Sequence, residues 1–308
     1  MEYYSNGKLL LTGEYLVLDG AASLAVPVKF GQNLTVQAIE KPLLIWESFT
    51  NNNTCWFKTC FNLPDLKLSY PANLPSSAKS TRHTANTLQK ILLKAQALNA
   101  NFLNTKHGFA VKTYLNFPQN WGLGSSSTLI NNIALWAKVN PYALLWGAFT
   151  GSAYDIACAK HNTAIIYKLN NKKPCVKELN YQPLFANQLY FIHLNKKQNS
   201  RKGIAKYNKY RHKAQGIIPK INMLSQQFLK ADSIKTLNSV IAEHEQVISS
   251  IIEQKTIKSI LFSDYFGQIK SLGAWGGDFI LATGNEDTTA YFKSKGFLTV
   301  LPFKQIIL

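Results

Sequence analysis

Short apolar runs, separated by turn residues, fill the first sixty positions of the chain. Residues 9–18, 24–28, 34–39 and 43–47 are predicted as strands, because Gly, Pro, Asp and Asn punctuate them, as at Asp19-Gly20. The period then changes. From Ser80 onward Thr84, Leu88, Ile91, Leu92 and Ala95 recur at helical spacing. A strand is predicted over 108–116, a Gly/Ser loop over 122–127, a helix over 128–139, short helices over 141–149 and 154–160, and a strand over 164–169. The run from Asn170 to Pro174 reads as a linker or hairpin tip. Beyond it the pattern predicts a strand over 189–194, helices over 201–231, 233–250 and 255–267, and strands at 278–283 and 298–303 around a helix at 286–295. Strands and helices alternate in both halves without repeats, which suggests two layered α+β domains.

Composition adds a charge signal to this picture. Hydrophobic residues make up 46% and charged residues 16%, which fits a globular protein and excludes a largely disordered one. Within that small charged fraction, 34 Lys and Arg face 16 Asp and Glu, a net +18. Such a surplus attracts nucleic acid, anionic lipid or phosphorylated metabolites, but a general lysine bias would give the same number. Lys196, Lys197, Arg201, Lys202, Lys206, Lys209, Arg211, His212 and Lys213 form one basic run with Tyr207 and Tyr210 interleaved. Read alone, the run is either an RNA-binding strip or the solvated face of a helix, and the helix face is preferred.

The four cysteines (Cys55, Cys60, Cys158, Cys175) have neither zinc-site spacing nor disulfide density, so reduced thiols are expected. The opening MEYYSNGK lacks a basic stretch leading into an apolar core, and no secretory signal is expected. Residues 141–159 are apolar but interrupted by Gly147, Gly151 and Asp155, and read as two buried helices rather than a span. A cytoplasmic protein without membrane or nucleic-acid partners, monomeric or homodimeric, is the resulting expectation.

The segment from Asn120 to Leu129 (NWGLGSSSTL) carries the clearest chemistry. Gly122 and Gly124 allow close backbone approach, and the serines and N–H groups opening the next helix form an anion site. Other phosphate and hydrolase signatures are missing: no Walker loop, no protein-kinase catalytic loop, no dinucleotide fingerprint, no nucleophile elbow. His244-Glu245 only partly matches a zinc-protease helix and reads as a surface pair.

Two further segments accompany the loop: GKLLLTGEYLVLDG at 7–20 and SLGAWGGD at 271–278, with GSAYDIA at 151–157 between. In this order and spacing they resemble the three motifs of the GHMP kinases. The resemblance implies a two-domain α+β fold: an N-terminal ribosomal-S5-domain-2-like, ATP-binding domain over 1–175 and a ferredoxin-like α/β domain over 176–308. It implies ATP and Mg2+ as cofactors, and phosphorylation of a small acidic metabolite of the mevalonate pathway. Mevalonate is the leading acceptor and phosphomevalonate the alternative, with a non-catalytic ligand-binding protein as the third reading.

Carried over residue by residue, Lys8 and Asp155 match the catalytic lysine and aspartate. Gly122, Leu123, Gly124, Ser125, Ser126 and Ser127 match the phosphate loop, with Ser126 the candidate magnesium ligand. Gly273, Gly276 and Gly277 match the third motif beside the nucleotide, and Glu14, Tyr15 and Ser152 the substrate site. A lysine such as Lys8 neutralises charge on the transferred phosphate. The pattern also departs from the family. Leu144 stands about where mevalonate kinases carry a magnesium-binding glutamate, so the metal is left to serines and phosphates, Asp155 or another acid. Trp275 and Ala153 replace glycines, and an indole at 275 is expected to reshape the site or stack on a ligand. Asp278 stands where many relatives carry glycine.

Overall fold

The computed structural model of the chain describes residues 1–69, 79–198 and 200–308, with the backbone alone at 79–80 and 200–202. The described residues form two compact units that interleave along the chain. The first holds residues 1–7, 30–119 and 124–160, and the second 8–29, 120–123 and 161–308. Residue 175, where the sequence reading divides the chain, falls within the second unit.

In the first unit β1 (Glu2–Leu10) enters beside β2 (Ser23–Ile39). β3 (Leu43–Phe49), β4 (Cys55–Asn62) and β5 (Leu68–Ser69) follow, then α1 (Lys79–Leu98) and β6 (Gly108–Leu115). Residues 32–39 of β2 pair antiparallel with β6, β6 runs parallel to β3, and β4 lies antiparallel between β3 and β5. α2 (Ser125–Ala137), α3 (Pro141–Ala148) and α4 (Tyr154–Lys160) complete the unit. The stripe read from sequence on α1 (Leu88, Ile91, Leu92, Ala95) is buried in a core shared with Trp46, Ile130, Ile133 and Leu144. Trp46 is a packing residue, 1% exposed.

In the second unit β7 (Ala164–Asn170) pairs with residues 23–25 of β2 and forms a hairpin with β8 (Lys173–Leu179). The turn at 171–172 is the hairpin tip read from the Asn-Asn-Lys-Lys-Pro run. Then come β9 (Leu189–His193), α5 (Ser200–Tyr210), α6 (Ile218–Lys230), α7 (Ile234–Ile252), α8 (Ile257–Leu261), β10 (Ile269–Ser271), β11 (Phe279–Thr283), α9 (Asp287–Ser294), β12 (Val300–Pro302) and α10 (Phe303–Ile306). The four strands form an antiparallel sheet in the order β10-β11-β9-β12. Helix α7 packs on α5, α6 and β10.

Several predicted elements change on folding. The run 9–18 is not one strand: β1 stops at Leu10, and Gly13 (φ 81°) and Tyr15 (φ 64°) turn the chain into a 3-10 helix over Leu16–Asp19. Conversely, 24–28 and 34–39 merge into one strand through Gly31. The absent Gly31 side chain leaves room there for the Ser5 carbonyl and the Tyr4 ring. The helix expected over 201–231 breaks at 211–217, and that over 255–267 is confined to α8. The four cysteines are free thiols. No helix among the described residues is long and apolar enough to cross a membrane.

Candidate functional site

In the first unit Gly124 adopts the left-handed conformation (φ 95°) and starts α2 directly, with no acidic residue in the helix's first turn. Unpaired N–H groups and the positive end of the helix dipole therefore face whatever anion arrives there. The three serines differ in their commitments. Ser127 is buried and donates to the Gly124 carbonyl at 2.8 Å, Ser125 is half-buried, and Ser126 is exposed. Ser126 is thus the hydroxyl open to a ligand.

The rest of α2 is held by uncharged side chains. Ser5 donates to Asn132 at 2.7 Å, Asn131 to Ser5 at 2.9 Å, Asn132 to the Gln32 carbonyl at 2.9 Å, and Thr128 to the Gln32 side chain at 2.7 Å.

Asp155 lies in the first turn of α4, half-buried, accepting the Ile156 N–H at 3.0 Å. Ala153, two residues before it, is buried with φ 65°, a conformation that costs a non-glycine residue about 1–2 kcal/mol. Ser152 is likewise buried, and Leu144 is fully buried within α3.

The second unit brings Lys8, Gly122, Leu123 and the third motif together. The Lys8 N–H donates to the Leu123 carbonyl at 2.9 Å, and its ammonium to the Gly122 carbonyl at 2.8 Å. Gly122 (φ 67°) packs so closely on Asp278 that a Cβ there would collide with the carboxylate. Asp278, itself left-handed at φ 52°, accepts the Gln198 N–H at 3.0 Å. Burial pushes the Asp278 carboxyl up, and the Gln198 N–H, Lys8, His193 and Lys197 draw it down.

The Gln198 amide donates to the Trp275 carbonyl at 2.7 Å, and the Trp275 N–H to the Tyr15 hydroxyl at 3.0 Å. The Trp275 indole is only 1% exposed, so it packs inside the unit rather than stacking on a ligand. Gly273 (φ 63°) and Gly276 (φ 91°) turn this loop, and Gly277 lies against the Gln198 side chain.

Glu14 and Tyr15 are both buried. Glu14 is fully enclosed and ion-paired with Lys270, which also donates to Glu245 at 3.2 Å and to the Ser271 carbonyl at 2.9 Å. Ser271 donates to Glu245 at 2.9 Å, and the Gly13 N–H to His244 Nε2 at 3.1 Å. Burial is the main influence here, pushing Glu14 up to about 7 and His244 well below the usual histidine range. His244-Glu245, read as a surface pair, is instead 0% and 3% exposed. The partner that makes such burial affordable, Lys270, lies 25 positions beyond Glu245.

The basic run is partly consumed within the unit. Tyr207 is buried, stacks on Tyr15 with ring centroids 5.6 Å apart, and donates to Asp19 at 2.5 Å. Arg211 pairs with Asp19, Lys213 with Glu253, and Lys206 with Gln254. The side chains of Arg201 and Lys202 lie outside the described residues.

No family model matches the sequence, and no curated protein matches it either. Solved structures do. Methanococcus jannaschii mevalonate kinase aligns with a TM-score of 0.68 at 15% identity, covering 96% of this chain and 94% of that one. Streptococcus pneumoniae phosphomevalonate kinase, in complex with phosphomevalonate and AMPPNP, aligns at 0.68 with 13% identity, covering 97% and 99%. This chain has the GHMP kinase fold. Lactococcus lactis galactokinase, complexed with galactose, matches the same fold at a TM-score of 0.63, with 12% identity, covering 96% of this chain and 88% of that one. At such low identity the shared property is the two-domain α+β architecture, which the three sequence segments had implied.

Magnesium is implied by the resemblance of the three sequence segments to the GHMP kinase motifs. The described residues contain no group of three or more His, Cys, Asp or Glu able to hold a metal ion. The exposed Ser126 hydroxyl suits one ligand position, provided that phosphate oxygens supply others, as is usual for this ion.

Proposed function

We propose that this protein is an ATP-dependent kinase for a small acidic metabolite of the mevalonate pathway. Mevalonate is the first acceptor to test and phosphomevalonate the second. The observation that carries the reading is the grip of Lys8 on the glycine loop through both its N–H and its ammonium. A lysine fixed at a phosphate loop neutralises charge on a phosphoryl group in transit. In this reading the N-terminal N–H groups of α2 and the Ser125 and Ser126 hydroxyls take the nucleotide phosphates. Ser126 is the protein's ligand to magnesium, which when bound neutralises the phosphates.

Asp155 would orient or deprotonate the acceptor hydroxyl, with Ser152 beside it. Gly273, Gly276 and Gly277 would give the third-motif loop its shape beside the nucleotide. Glu14 and Tyr15, buried as they are, serve the substrate site by holding the turn that follows Lys8. The likeness in fold to solved small-molecule kinases supports the nucleotide and the acid class; one of them is a complex with phosphomevalonate and AMPPNP.

A coupled ADP-release assay with MgATP and mevalonate, phosphomevalonate, homoserine or galactose tests this reading. Turnover on one acceptor that drops by orders of magnitude in Asp155→Asn and Lys8→Ala supports it. Leu144, fully buried where the family's glutamate would stand, favours the alternative of a binding protein without catalysis. Nucleotide binding with silence across the whole panel would select that alternative.

A further inference from the structure

We propose that Asp278 is a positioning residue for the phosphate loop. Its carboxylate supports Gly122 and, through Gly122, the carbonyl that holds the Lys8 ammonium. The nucleotide-binding consequence rests on the kinase reading above; the positioning itself does not.

The contact is direct. The space where any side chain at Gly122 would begin is filled by the Asp278 carboxyl carbon and both its oxygens. The carboxylate is also prevented from sliding away. The Asp278 N–H donates to the Lys196 carbonyl at 2.7 Å, its carbonyl accepts the Leu194 N–H at 2.8 Å, and its Oδ1 accepts the Gln198 N–H at 3.0 Å. Gln198 is fixed in turn by the Trp275 carbonyl, and Trp275 by the Tyr15 hydroxyl. A line of hydrogen bonds therefore runs from the first motif through the third to a carboxylate pressed on the second.

Backbone conformation points the same way. Asp278 sits at φ 52°, where glycine is unstrained and an ordinary residue persists only if its surroundings hold it there. A glycine at 278 would fit the backbone but leave Gly122 without support from below. Lys8 and Lys197 are the cations that act on the carboxylate, and they offset its charge beside an anion-binding loop.

Asp278→Gly removes the carboxylate without adding strain, and Asp278→Asn keeps its shape and its acceptor oxygen. Two readouts are needed: MgAMPPNP binding by calorimetry, and hydrogen exchange at the amides of residues 120–127. Asp278→Gly is expected to weaken MgAMPPNP about tenfold, some 1.4 kcal/mol. It should also speed exchange at Gly122, Leu123 and Gly124, with Asp278→Asn staying close to the unmodified protein. Gly122→Ala should be harmful on its own, and adding Asp278→Gly should recover part of the loss in melting temperature, since the colliding group is gone. Unchanged exchange at 122–124 in Asp278→Gly, or strictly additive effects in the double variant, would overturn the proposal. If the unmodified protein binds no MgAMPPNP, the kinase reading fails, while exchange and the double variant still decide the role of Asp278.

Discussion

Each unit buries a polar network, and the two are built from different chemistry. In the first, Ser5, Asn131, Asn132, Gln32 and Thr128 hold α2 with neutral groups alone. In the second, Glu14, Lys270, Glu245 and His244 are all ionisable and all nearly or fully enclosed. Two carboxylates share one ammonium there. A neutral network costs its desolvation once and is indifferent to pH; a charged one depends on every partner and on proton supply. The helix that opens at the Gly/Ser loop is thus fixed by a pH-insensitive device, and the turn after Lys8 by a pH-sensitive one.

The largest break in this comparison should come from Lys270→Met. It leaves two buried carboxylates without a cation and should cost about 3–5 kcal/mol in denaturant unfolding. A loss below about 1 kcal/mol would mean that the cluster relaxes or hydrates freely.

Glu14→Gln separates the networks by pH. The Glu14 carboxyl sits near 7 in the folded protein against an ordinary value of 4.5, so the folded state binds its proton more tightly. The stability this adds is present at low pH and disappears as pH rises through 7. The deficit of Glu14→Gln relative to the unmodified protein should therefore be larger at pH 5 than at pH 8, by up to about 3 kcal/mol. His244, held neutral by burial, makes the protein lose stability as pH falls below the ordinary histidine range, the opposite direction from Glu14. A deficit that grows toward pH 8 would reverse the assignment.

Asn132→Leu probes the neutral network. It removes the acceptor of the Ser5 hydroxyl and the side-chain donor to the Gln32 carbonyl, and should cost about 1–3 kcal/mol, equally at pH 5 and pH 8. A pH-dependent loss would show that charge reaches this network too. The smallest effect is expected at Ala153→Gly, where relief of the left-handed strain outweighs the added chain entropy. A gain of about 0.5–1 kcal/mol in thermal unfolding is expected, and a loss would mean that the Ala153 methyl packs better than its backbone suggests.

Local pattern was sufficient for α1, α2, α7, β7 and the turn after β7, because each carries its own periodicity or turn chemistry, but β8 was not foreseen. It missed β4 as a separate strand, whose outward and inward positions alternate poorly, with Cys60 and Phe61 both buried. It also misjudged His244 and Glu245, since a polar pair on a helix looks solvated until its distant partner is known. For the candidate site, the glycine loop, Lys8 and the third motif could be picked out by residue type and order. The contact of Gly122 with Asp278 and the roles of Gln198, Tyr207 and Lys270 were not, because nothing local marks a side chain whose partner lies across the fold.

The interleaving of the two units has a consequence for how the chain is made. Residues 8–29 leave the ribosome well before the groups that satisfy them: Glu14 waits for Lys270, 256 positions later. Until then this stretch is a nascent segment with an acid destined for a dry interior and no counter-ion. The second unit therefore cannot close until Lys270 has been made, and the contact that closes it is strongly non-local. A chain stopped soon after residue 160 would hold the whole sequence of the first unit while leaving residues 8–29 without the partners they pack on.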